Sequence, residues 1–136
     1  MLGTFWLAQC VPEPDREYLA VVTHLPLSRW GALPEFLRHT GRLHGELASS
    51  HGLVGYRLQL RLWPLELWTF SVWVDEAALW SFVHGKAHAN AMRELLPDTG
   101  RTKIAHWTVR GFNVPTSWRD VRLKMATHRA APGTAE

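Results

Sequence analysis

Between Leu65 and Leu96 the sequence reads LELWTFSVWVDEAALWSFVHGKAHANAMRELL, a run compatible with few folds. Residues Leu67 to Val74 are almost all β-branched, aromatic or hydroxylic, the composition of a pleated strand covered on both faces. Asp75 then offers a side-chain oxygen to the orphan amides of a following helix, and Glu76 adds negative charge to its first turn. Leu79, Phe82 and Val83, resumed by Ala87, Ala91 and Leu95, recur at helical spacing and make one apolar face able to lie back on a sheet. Gly85 is the weak point of this helix and predicts two pieces, with HGKAH at the joint.

The flanking sequence supplies the rest of an α+β sheet. Thr4 to Gln9 reads as a short added strand, VPEPD at 11–15 as a connector, and Tyr18 to His24 as the first principal strand. Ser28 is placed to cap a helix reaching about Ser50, with Leu33, Phe36, Leu37, Leu43 and Leu47 as its core face and Pro34 tolerated in the first turns. His51-Gly52 then ends that helix by a left-handed residue. From Leu53 to Trp63 the alternation is strict: Tyr56, Leu58, Leu60 and Leu62 face one way and Arg57, Gln59, Arg61 and Trp63 the other. After a loop at Leu96–Gly100, Thr102 to Val109 makes the fourth strand, and a last helix spans about Ser117 to His128. The order is βαββαβ, ferredoxin-like, with an extra N-terminal strand and an extra C-terminal helix.

With 136 residues, of which 46% are hydrophobic, the chain suits one core, assigned to residues 1–129, with 130–136 (AAPGTAE) expected as a disordered tail. No stretch approaches the roughly 20 apolar residues that span a bilayer, and the N-terminus lacks the basic and apolar regions of a signal peptide. Cys10 is alone and cannot form an internal disulfide, so the expected location is the cytoplasm. A charge of +3, concentrated near Arg119, Arg122, Lys124 and Arg129, comes without a nucleic-acid motif and reads as a solvated helix face. Phosphate-binding glycine loops, GxSxG, CxxC and HExxH are missing, which excludes nucleotide-dependent, serine-hydrolase and zinc-protease chemistry of those kinds. A four-stranded sheet with helices on one face leaves the other bare, and a second copy is its simplest cover, so a homodimer is expected.

Val72-Trp73, the helix start Asp75-Glu76-Ala77-Ala78-Leu79, the aromatic Phe82 and His88 in the second half of the helix resemble the antibiotic-biosynthesis monooxygenase-like families. The likeness covers roughly Tyr18 to Arg110. It implies a dimeric α/β barrel built from two ferredoxin-like domains, a pocket between sheet and helices, and biosynthetic chemistry on a hydrophobic aromatic or polyketide-like molecule, as in secondary metabolism. Within that expectation His88 and His106 are the candidate catalytic bases. Tyr56, Trp68, Trp73 and Phe82 would orient a ring, His84 and His24 would stand at the pocket and its mouth, and Arg57 would meet a carboxylate or enolate. No flavin or nicotinamide motif is present, so the expected chemistry uses no cofactor, with haem held by His88 or His84 as the alternative. Haem-degrading relatives place their ligand histidine later in this helix, where this chain has Met92, and that departure counts against haem degradation. His84 and His88 also share a helix face, but no carboxylate stands at useful spacing from them, and no metal site is expected there. A cyclase, isomerase or lyase acting in the same pocket, or a ligand-binding dimer without catalysis, would use the same residues.

Overall fold

The computed structural model describes residues 2–3, 6–95, 102–114 and 117–128. Along these the elements are β1 (Leu2–Gly3), β2 (Leu7–Ala8), β3 (Glu17–Pro26), α1 (Leu33–Ala48), β4 (Leu53–Leu62), β5 (Leu65–Trp73), α2 (Glu76–Val83), α3 (Lys86–Leu95), β6 (Lys103–Arg110) and α4 (Trp118–His128). The strands form an antiparallel sheet in the order β1-β4-β5-β3-β6, with β2 also running along β4. The first principal strand thus lies between the third and the fourth, the ferredoxin-like arrangement, and the sheet does not close on itself. Of the strand expected over Thr4 to Gln9, the described part forms the two-residue β2, and β1 precedes it outside that range. Thr4 and Phe5, the loop Leu96–Gly100 and the tail 130–136 lie outside the described residues.

Period-2 alternation sorts side chains onto the two faces. On one, Leu25, Leu60, Leu65 and Leu67 pack on Phe36 of α1 and on Ala91 and Leu95 of α3. Val21, Leu53, Tyr56 and Trp73 on the same face pack on Leu47, Ala78, Leu79 and Phe82. The opposite face carries Tyr18, Ala20, Val22, Val54, Phe70, Val72 and Ala105, and these close on Val121 and Met125 of α4. The premise of a bare second face therefore does not hold: the C-terminal helix covers it, and the packing argument for a second copy there is removed.

Local signals landed where chemistry required. Asp75 Oδ1 accepts from the Ala78 amide at 2.9 Å, starting α2, and the helix breaks at Gly85 into α2 and α3. Gly52 ends the α1 turn region with φ +82°, and a Cβ there would stand 2.5 Å from that of Ala78. Two expectations fail. Ser28 does not cap the first helix, which begins only at Leu33 after a 3₁₀ turn over Trp30–Ala32, with no side-chain cap and with Pro34 in its first turn. Leu37 is 49% exposed, while His39 is buried at 1%. Phe36, His39, Leu43 and Leu47 keep to one stripe at 3.6 residues per turn, and Leu37 sits about 100° round from Phe36. No helix among the described residues is long and apolar enough to cross a membrane.

Candidate functional site

The alternation of β4 and β5 divides the predicted site residues between two faces. Tyr56 and Trp73 point toward the helices, whereas Arg57, Trp68 and His24 point toward α4, so Trp68 does not join Trp73 in one pocket. On the helical side Trp73 is 1% exposed and donates its Nε1–H to Ser71 Oγ at 2.9 Å, which fixes the indole in the sheet. Phe82 of α2 lies over it with ring centroids 5.5 Å apart, and half-buried His88 of α3 meets Phe82 edge-on, also at 5.5 Å. Burial pushes the His88 imidazole below its usual pKa. A hydrogen bond with the Val83 backbone and the charge of Glu46 oppose that shift without cancelling it. The ring is consequently neutral near pH 7 and able to take a proton.

Tyr56, 2% exposed, is tied to α1 by a 2.7 Å hydrogen bond between its hydroxyl and His44 Nδ1, and burial raises its pKa. His84 is exposed and stacks on Trp80. His106, on the outer strand β6 opposite Val21, is exposed as well. The space between sheet and helices, where the pocket was expected, is occupied by the packed cluster of Leu53, Tyr56, Trp73, Leu79 and Phe82. A groove of about 1010 Å³ opens instead between α1 and α2–α3. His39, Arg42 and Glu46 wall it on one side, Ser81, Lys86 and Asn90 on the other, and Val74, Ala78 and Phe82 contribute its apolar lining. Phe82 and Glu46 belong both to this groove and to the surroundings of His88.

The face under α4 is polar at one end. His24 Nε2 lies 2.5 Å from Glu66 Oε2, Trp68 Nε1 donates to Glu66 Oε1 at 3.1 Å, and Arg61 Nη1 is 3.6 Å from the same oxygen. Burial would push the Glu66 carboxyl up, but the hydrogen bonds from His24 and Trp68 and the nearby positive charge outweigh it and hold the pKa below the usual value. Arg57 stacks on Trp118 at 5.2 Å, and Arg122 lies over Trp68 and donates to Gln59. Both arginines are thus engaged in docking α4.

Three constellations were missed from sequence: Glu66 with His24, His44 with Tyr56, and Glu35 and Glu94 around His39. For the last, Glu35 and His39 stand four apart on α1, a spacing that signals a shared helix face. Glu94 comes from α3 and leaves no such local trace.

No protein-family model and no curated protein sequence matches the chain. Solved structures do resemble it. SnoaB, a cofactor-independent oxygenase from Streptomyces nogalater, aligns with a TM-score of 0.57 at 19% identity over 69% of this chain and 94% of its own. An antibiotic biosynthesis monooxygenase aligns at 0.59 and 14% identity over 65% and 95%, and a conserved protein from Methanosarcina mazei Go1 at 0.59 and 20% over 66% and 90%. Strand order, helix placement and these superpositions agree: the chain has a ferredoxin-like α+β fold, similar to that of these solved structures.

Proposed function

We propose that this protein is a cofactor-independent oxygenase for a hydrophobic, phenolic ring system that enters through the groove between α1 and α2–α3. The observation that carries this reading is His88: a neutral, half-buried imidazole in contact with Phe82, whose ring also lines the groove. From behind the Phe82 ring His88 would take the phenol proton, and Phe82 would pack against the substrate ring. The electron-rich phenolate then reacts with dioxygen. For a substrate with an activated ring CH2, one oxygen atom enters as a carbonyl and the other leaves as water. The four electrons come from converting CH2 to C=O, so no flavin or metal is needed. SnoaB, with the same fold, is described as cofactor-independent, which supports this choice. The haem alternative fits less well: His84 stacks on Trp80 at the surface, and the Phe82 ring packs edge-on against His88 where an iron would have to stand.

The test is dissolved-oxygen consumption with a phenolic tricyclic ketone bearing an activated CH2, for wild type and His88→Gln. Wild type should consume one dioxygen per quinone formed. The variant, with an unchanged circular dichroism spectrum, should lose about 10²–10⁴-fold in kcat with little change in KM. The wild-type rate should fall as pH drops through the lowered His88 pKa, below 6.5, where the imidazole is protonated. Turnover of such a compound without oxygen uptake would replace this reading with non-redox cyclisation or isomerisation in the same groove.

A further inference from the structure

We propose that Glu35, His39 and Glu94 form a binding site for one divalent first-row transition cation, bridging α1 and α3 at one end of the groove. His39 is 1% exposed, and its Nε2 is buried without a hydrogen-bond partner. Yet that nitrogen lies 3.2 Å from Glu94 Oε2 and 3.4 Å from Glu35 Oε1. Both separations are within reach of a hydrogen bond, yet neither contact meets the full geometry of one. Ligands of a shared cation are disposed in this way. With metal–nitrogen and metal–oxygen bonds of about 2.0–2.2 Å, neighbouring ligand atoms stand roughly 3.0–3.5 Å apart, and both measured separations fall in that window.

The three ligand atoms all lie within 4.8 Å of one another. Closing the gap between the two carboxylates calls only for a rotamer adjustment, since both side chains are nearly half exposed, at 46% and 45%. Arg38 now ion-pairs with Glu35 and stands 4.0 Å from Glu94 Oε1. Arg38 is itself 43% exposed and can swing into solvent when a cation replaces it. One imidazole with two carboxylates suits Zn²⁺, Co²⁺ or Mn²⁺, whereas Ca²⁺ prefers an all-oxygen shell of six or more ligands. Three protein ligands also leave a coordination position free, and His39 lines the groove. The site lies about 10 Å along α1 from Glu46, the residue whose charge acts on His88, so it is separate from the proposed base.

The experiment is calorimetric titration of the untagged, chelator-treated full chain with Zn²⁺, and visible absorption with Co²⁺. Wild type should bind one equivalent, develop Co²⁺ bands distinct from those of the hydrated ion, and unfold at a higher temperature with Zn²⁺ than without. Glu94→Gln and Glu35→Gln change half-exposed side chains and should keep the wild-type circular dichroism. Each should weaken binding at least about tenfold and abolish the thermal shift. Absence of saturable binding in wild type would overturn the site, as would Glu94→Gln binding as tightly as wild type.

Discussion

Single positions carry more constraint than their hydropathy indicates. Gly55 on β4 sits where the register to β5 shifts, and a Cβ there would drive into the indole of Trp6. Gly55→Ala should therefore destabilise the protein by about 1–3 kcal/mol, the range for overpacking, read from the midpoint of urea unfolding. An unchanged midpoint would mean that Trp6 moves aside freely. Glu66 is another such position. As one polar residue among apolar neighbours on β5 it carries no mark in the sequence, yet it is 8% exposed and anchors His24, Trp68 and Arg61 together. His88 differs in kind, because its place in the second helix and its spacing from Phe82 were readable in advance, while its lowered pKa depends on burial that only the folded chain supplies.

At the scale of elements, α4 decides what the second face of the sheet is for. Val121 and Met125 are 0% and 4% exposed against Val22, Phe70 and Ala105, and Arg57 and Arg122 add cation–π contacts with Trp118 and Trp68. Met125→Ala should cost about 2–5 kcal/mol in chemical unfolding, the range for truncating a buried large side chain. A loss below about 0.5 kcal/mol would indicate a helix only loosely seated. The sequence of α4 reads as a mixed, basic helix, and nothing in its own periodicity tells which surface it will cover. By contrast, the α2–α3 break and the α2 start are written locally: a glycine at the joint and an aspartate whose oxygen reaches the Ala78 amide.

For the whole molecule, His88 and Glu66 make stability depend on pH in one direction. The folded pKa of His88 lies below 6.5, so the unfolded chain protonates first and stability falls as pH drops through about 6.5 toward that lower value. The folded pKa of Glu66 lies below 4.5, so its contribution is present above about 4.5 and lost as pH falls through the folded value. Urea midpoints measured from pH 8 to pH 3 should decline in two stages, with His88→Gln flattening the upper one and Glu66→Gln the lower. A midpoint that rises on acidification would contradict both assignments. Much of the architecture is legible in the chain itself. The alternation of Tyr56 to Leu62, the cap at Asp75 and the turn at Gly52 set strands, helices and facing sides, because dihedral preferences and periodicity are local properties. Other features arise only when the sheet assembles. His24 meets Glu66 across 42 positions, His39 falls between carboxylates of two helices, and α4 chooses the face that buries its apolar side. Those outcomes depend on strand register and on the joint burial of distant surfaces, a balance summed over the folded molecule and encoded in no single segment.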